Sequence, residues 1–190
     1  KLKETETIVL NAESKINQKE YEVFVEIRDL IKEQIYRILK TSSAIATLDV
    51  LTSFAHVSEI NGYVKPTMTT GDEILLEKGR HPVVEKIMND GVFVQNDLYM
   101  NRNESSMLLI TGPNMAGKST YMRQVAILMI MAQIGSFIPA REATISPVDR
   151  VFTRVGASDD ISTGQSTFMV EMNEVSHILE HATEHSLVIL

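Results

Sequence analysis

The sequence contains no cysteine and no tryptophan. Without cysteine, a disulfide framework and a thiolate metal site are both excluded, and a reducing, cytoplasmic location is what we expect. The longest apolar run, residues 125–134, has about half of the roughly 20 residues that a helix needs to span a bilayer. The opening residues also lack the continuous apolar centre of a secretory signal. We therefore predict no membrane-spanning segment and no membrane partner.

An excess of positive charge is missing as well. The 18 Lys and Arg residues are outnumbered by 25 Asp and Glu residues, which gives a formal net charge of −7. Surfaces that bind the phosphate backbone of nucleic acids are usually basic. If this sequence belongs to a longer protein that binds DNA, we expect the DNA contacts to lie outside these residues.

The composition that is present, 44% apolar and 23% charged, is that of a folded domain. Residues 16–62 are predicted to be helical because their apolar residues recur every three or four positions. Those that share the first stripe are Phe24, Ile27, Ile31, Ile35 and Ile38. A second helix, or a continuation, follows Ser42 and Ser43, and Asn61-Gly62 is a stop signal. A core helix pair and a long lever both account for this periodicity.

Beyond Gly62 the sequence changes to short apolar runs separated by turn residues, which is typical of an α/β domain. We predict an all-α helical segment over residues 1–62 and an α/β domain over residues 63–190. The predicted strands are residues 74–76, 92–94, 107–110, 150–155 and 187–190. The predicted helices of this domain are residues 118–134 and 168–183.

Residues 112–119 fit the phosphate-binding pattern G-x-x-x-x-G-K-[ST] of P-loop enzymes. The pattern comprises Gly112, Pro113, Asn114, Met115, Ala116, Gly117, Lys118 and Ser119, and Thr120 follows it. The two glycines allow close backbone approach to phosphates, Lys118 supplies a cation, and the Ser119 hydroxyl can bind Mg²⁺. An apolar run precedes the loop, and a stretch without Gly or Pro follows it, as a strand and a helix require. We predict ATP and Mg²⁺ as ligands, with Lys118 and Ser119 as the catalytic candidates.

A second loop, residues 162–167, leads into the predicted helix at Phe168 and is rich in hydroxyl groups. Hydroxyls at a helix N-terminus indicate either an ordinary N-cap or a second phosphate site. If Ser166 binds phosphate, a head-to-tail pair of chains could complete each nucleotide pocket with this loop of the partner.

Hydrolysis also needs carboxylates that position magnesium and water. Asp159 and Asp160 lie in a predicted loop, whereas P-loop enzymes place their acidic pair after an apolar strand such as residues 187–190. The sequence ends at Leu190, before any acidic pair that would follow this strand, so we expect this segment alone to bind ATP without hydrolysing it.

Histidines recur every fourth residue near the end of the sequence, at His177, His181 and His185. With Glu174 they could form a metal site, but an exposed polar helix face is the favoured interpretation. His56 and His81 have no sequence partner and are predicted to be structural. The methionines, including Met129 and Met131, fit core packing.

The loop Thr111–Thr120 and the following Tyr-Met-Arg-Gln closely resemble the nucleotide loop of the MutS family, above all at Asn114-Met115. Residues 79–85, 93–96, 149–156 and 166–172 resemble that family too. The resemblance implies an ATP-driven clamp that recognises mispaired DNA, with a P-loop NTPase domain preceded by the end of the core and lever helices.

The same resemblance assigns roles to individual residues. Phe93 and Val94 would pack against adenine, Asn114, Lys118 and Ser119 would hold phosphates and Mg²⁺, and Ser166 would reach into the partner's site. It further implies mismatched double-stranded DNA bound through N-terminal domains, a homodimer or related subunit contacted through the ATPase domain, and a downstream repair factor.

One departure from the family pattern is Ala116, which stands where many members have glycine. We expect the loop to tolerate alanine if the backbone there keeps negative φ. Two alternatives remain open: a family paralogue that acts in recombination control, and another P-loop ATPase. A transporter ATPase would carry Leu-Ser-Gly-Gly-Gln, which residues 162–166 resemble only loosely.

Overall fold

The computed structural model describes residues 11–88, 92–154 and 167–190. The chain divides into two compact units, residues 1–52 and residues 53–190. No helix in the described ranges is long and apolar enough to cross a membrane. The domain boundary between residues 62 and 63 stays a prediction.

The N-terminal helices are α1 (Ala12–Glu33) and α2 (Ile35–Asn61), and the second unit begins within α2. The interruption lies at Gln34, and of the two possibilities after Ser42 and Ser43 the structure has the continuation of one helix. Hydroxyl groups in that stretch bond carbonyls of their own helix: Thr41 donates to Arg37 and Thr47 donates to Ser43. Each of these hydroxyls bonds the carbonyl four residues earlier in the same helix, whereas an N-cap side chain would bond backbone N–H groups at a helix start. The helix therefore continues through this stretch.

The apolar stripe of α1 is exposed: no residue of this helix is buried, and Phe24 and Ile27 are both more than half accessible. The core helix pair and the long lever both stay predictions for these helices. Helix α2 ends where the sequence predicted. Gly62 has φ +60°, and the N–H of Tyr63 donates to the Ser58 carbonyl at 2.9 Å. A left-handed glycine with this six-residue bond is the Schellman C-cap.

The second unit contains a mixed four-stranded sheet and a separate parallel pair of strands. The sheet has the order β1-β4-β2-β3, with β1 parallel to β4 and the other neighbours antiparallel. Its strands are β1 (Thr67–Met68), β2 (Ile74–Gly79), β3 (Asn96–Met100) and β4 (Glu142–Ile145). The parallel pair is β5 (Val151–Thr153) with β6 (Leu187–Ile189). The helices of this unit beyond α2 are α3 (Pro82–Ile87), α4 (Lys118–Gln133) and α5 (Thr167–His181).

The strands predicted at residues 74–76, 150–155 and 187–190 correspond to β2, β5 and β6, and both predicted helices form as α4 and α5. The strand predicted at residues 92–94 was wrong. The strand nearest to this prediction, β3, begins only at Asn96, which pairs with Gly79, the last residue of β2. Residues before Asn96 therefore have no continuing partner in β2, and the side chains of Val92 and Val94 are 92% and 77% exposed.

The strand predicted at residues 107–110 does not form either. This segment is irregular, and Met107 and Leu109 are 84% and 87% exposed. An apolar run becomes a buried strand only when neighbouring strands satisfy its backbone groups and cover its side chains. The described residues provide no such ladder partner for this segment.

Helix α4 supplies a large share of the core. Val125, Leu128 and Met129 are buried on it, and Met131 packs against the same cluster, as predicted for the methionines. The sheet contributes buried residues from β2, β3 and β4 to this cluster. The helix is thereby fixed on the sheet, with its first residue at Lys118.

His81 has the structural role that the sequence predicted. It is 5% exposed and is the N-cap of α3, where its ring Nδ1 accepts from the N–H groups of Val83 and Val84 at 3.3 Å each. Burial lowers the pKa of His81, and the nearby Arg123 cation lowers it further. A protonated Nδ1 would be a donor and could not accept either bond.

Unfolding at different pH values tests this cap. The unfolded chain binds a proton at His81 near pH 6.5, whereas the folded chain resists protonation to lower pH. The stability that depends on neutral His81 is therefore complete above pH 6.5 and falls as the pH is lowered. We expect denaturant titrations at pH 7.5 and pH 5.5 to show a larger loss for the natural protein than for His81→Asn, which caps without titrating. Equal losses in the two proteins would contradict this role.

Candidate nucleotide-binding site

The loop before α4 has the backbone that its glycines predict. Gly112 has φ +156°, and Gly117, the N-cap of α4, has φ +86°. Glycine adopts this left-handed region without the steric cost of a side chain. Met115 also has positive φ, +63°, and its side chain is fully exposed. The φ of Ala116 is not positive. Alanine at position 116 therefore meets the condition under which the loop should tolerate it.

Lys118 begins α4 and folds back across the loop. Its Nζ donates to the carbonyl oxygens of Gly112 and Pro113, both at 2.7 Å. An ammonium group has three donors, so these bonds hold it over the loop while one donor remains for a further acceptor. The first N–H groups of an α-helix have no intrahelical acceptor, and they carry the positive end of the helix dipole. Cationic and polar donors thus converge at this end of α4.

A cavity of about 820 Å³ lies beside the loop. Its lining includes Lys118 and neighbouring residues of the loop, together with Phe93 and Val94. Of the predicted site residues, those that line it are Phe93, Val94, Met115, Ala116, Gly117, Lys118 and Thr120. Those in the described loop and α4 that do not line it are Gly112, Pro113, Asn114 and Ser119. Its volume falls within the range of small-molecule sites.

The cavity also includes residues that the sequence analysis did not assign. Tyr121, Asp97 and Asn96 line it, and the Tyr121 hydroxyl donates to the Asp97 carbonyl at 2.8 Å. Asn96 donates through Nδ2 to the Val94 carbonyl at 2.8 Å and so fixes the backbone after Phe93. Tyr121 could have been found from its spacing, because residues three apart on a helix share a face and Lys118 is three residues earlier. The sequence carried no corresponding signal for Asp97.

Several predicted residues lie outside the described ranges, namely Asp159, Asp160 and Ser166. Arg154 holds α5, the helix that follows residues 162–166. It forms ion pairs with Glu171 and, at 3.6 Å, with Glu174.

The recurring histidines are not brought together as a metal site. His177 and His181 lie with their ring centroids 4.2 Å apart, whereas His185 contacts Arg102 instead. The described ranges contain no group of three or more His, Cys, Asp or Glu residues arranged to hold a metal ion. Glu174 is paired with Arg154, so the geometry favours the exposed polar face.

A family model described as MutS domain V matches residues 108–190. Over 189 residues the chain is 60% identical to the DNA mismatch repair protein MutS of Clostridioides difficile (strain 630), covering 100% of this chain and 20% of that protein. It is 57% identical over 188 residues to the protein of the same name from Caldicellulosiruptor saccharolyticus, covering 99% of this chain and 22% of the relative. The chain thus spans about a fifth of the length of the curated relatives it matches. With the domain match and this identity along its whole length, the chain belongs to the MutS family.

Proposed function

We propose that this chain is the nucleotide-binding part of a DNA mismatch-repair ATPase that changes conformation when it binds ATP. In this proposal residues 63–190 belong to a P-loop NTPase domain, and residues 1–62 are the end of the helical core and lever. The observation that carries it is one cavity lined by Lys118, at the start of α4, and by Phe93 and Val94.

The phosphate end of the proposed site is the loop of residues 112–120. Positive φ at Gly112 and Gly117 turns the backbone around the position where phosphates would lie. The Lys118 ammonium is already held over this loop by two carbonyls, so its charge is in place before a ligand arrives. Preorganised donors at a helix N-terminus are well suited to bind an anion.

The base end is the segment of Phe93 and Val94. Both line the cavity, and Val94 is 77% exposed, so an aromatic ring and an aliphatic side chain are available to a planar base. Base stacking on an aromatic side chain contributes about 1–3 kcal/mol. We therefore assign Phe93 and Val94 to adenine.

Magnesium would be held by Ser119, the second residue of α4, together with phosphate oxygens. The Ser119 side chain is an exposed hydroxyl next to Lys118, and Mg²⁺ prefers oxygen ligands. When bound, the ion neutralises part of the phosphate charge. We assign Asn114 and Thr120 to the phosphate chain with Lys118.

The remaining activities belong to the parent protein, because the chain spans about a fifth of its relatives. We propose that DNA recognition and the acidic residues for hydrolysis lie elsewhere in it, and that it acts in the cytoplasm. We further propose that its ATPase domain pairs with a second subunit, that Ser166 reaches that subunit's nucleotide, and that a downstream repair factor responds. Mismatch repair is favoured over recombination control because the relatives are named DNA mismatch repair proteins.

Replacing the loop lysine tests the phosphate end. In the full-length protein, Lys118→Ala should weaken MgATP binding about 10- to 100-fold, because the one ammonium donor that the loop carbonyls leave free can form a charge-assisted hydrogen bond to phosphate worth about 1.5–3 kcal/mol. Lys65→Ala removes the same charge from an exposed position that does not line the cavity, and should bind normally. Calorimetric titration measures both, with circular dichroism to verify folding. Natural affinity in Lys118→Ala would exclude this loop as the phosphate site.

Truncating the aromatic side chain tests the base end. Phe93→Ala should weaken MgADP and a non-hydrolysable MgATP analogue to the same extent, by about tenfold or more, because base stacking does not sense the terminal phosphate. Phe137→Ala removes an aromatic ring away from the cavity and serves as the control. A loss for the triphosphate alone would show that Phe93 does not contact the base.

A further inference from the structure

One hydrogen bond joins the two ends of the cavity. The Tyr121 hydroxyl donates to the backbone carbonyl of Asp97 at 2.8 Å. Tyr121 lies in the first turn of α4, where its N–H donates to the Gly117 carbonyl at 2.9 Å. Asp97 is in β3, three residues after Val94. The bond therefore links the helix that follows the phosphate loop to the strand that follows the base wall.

The strand end of this bond is rigidly held. The Asp97 carboxylate accepts the backbone N–H of Lys78 at 2.7 Å. Lys78 has φ +50° and lies in the register irregularity of the β2–β3 pair between Leu76 and Gly79. A non-glycine residue keeps such a conformation only where its surroundings fix it. The Asp97 backbone thus has a defined position relative to the sheet.

The helix end is held as well. Tyr121 is half-buried and packs against the core cluster, and one turn later Gln124 is 1% exposed. A Cβ on Gly79 would come within 2.8 Å of Gln124 Nε2 and 3.3 Å of the Asn96 carbonyl oxygen, so a larger residue at position 79 would require the buried Gln124 side chain to move. Burial, with the charge of Asp97, raises the pKa of Tyr121. Its hydroxyl therefore remains protonated at neutral pH and can donate.

We propose that Tyr121 is a positioning residue of the nucleotide site, whose hydroxyl sets the separation between the base wall of Phe93 and Val94 and the phosphate loop at Lys118. The inference rests on the proposed function. A nucleoside polyphosphate contacts both ends and is bound more tightly when their separation is fixed in advance. A polyphosphate without a base contacts one end and does not sense the separation.

Tyr121→Phe tests the role because it keeps the ring in the cavity wall and removes only the donor. In the full-length protein, we expect MgADP to bind about 3- to 10-fold more weakly, as loss of one hydrogen bond of about 1 kcal/mol predicts. Magnesium tripolyphosphate, measured by competition against a fluorescent ADP analogue, should bind with unchanged affinity.

Tyr99→Phe is the matched control. Tyr99 lies in β3, as Asp97 does, and its hydroxyl accepts from Asn101 Nδ2 at 2.7 Å, but Tyr99 does not line the cavity. Its removal should change the affinity for neither ligand. Thermal unfolding of both variants reports whether a loss of affinity follows from a loss of stability.

The outcomes separate this inference from the function on which it rests. If the natural protein binds MgADP and Tyr121→Phe binds it equally well, the positioning role is wrong and the function stands. If Tyr121→Phe loses affinity for tripolyphosphate as much as for MgADP, the hydroxyl acts on the loop alone, and the positioning role is again wrong. Failure of the natural protein to bind MgADP would overturn the function and the inference together.

Discussion

The packing of α4 against the mixed sheet is the constraint on which the candidate site depends. Leu128 and Met129 are fully buried on this helix, and Gly79 in β2 permits close approach. Because the helix is fixed, its first residue and the loop before it have a defined position. Strand β3 belongs to the same sheet, so the Phe93 segment before it is brought to the same cavity. Burial of apolar surface therefore determines where the polar chemistry lies.

The helix after the phosphate loop was predicted from sequence because its signals are local. A glycine N-cap and an uninterrupted stretch without Gly or Pro specify α4 without reference to the rest of the chain. The C-terminus of α2 was predicted for the same reason, since Gly62 alone allows the left-handed cap. The role of Lys118 was predicted from the phosphate-binding pattern and that of Phe93 from the family resemblance, and both residues line the same cavity.

The remaining features depend on contacts between distant residues. Residues 107–110 have the composition of a buried strand, but strand formation requires a partner, and sequence periodicity does not report one. The start of β3 at Asn96 is fixed by where β2 ends at Gly79, 17 residues earlier in the chain. The bond from Tyr121 to Asp97 spans 24 residues and uses a backbone carbonyl, which no side-chain pattern can indicate.

We propose that residues 112–120 and the Phe93–Val94 segment bind opposite ends of one nucleotide. A crystal structure of the full-length protein with MgADP tests it most directly. We expect the diphosphate to lie along the loop with Lys118 Nζ on a phosphate oxygen, and adenine to lie against Phe93 and Val94. Phosphates bound away from the N-terminus of α4, or a base directed away from Phe93, would contradict it.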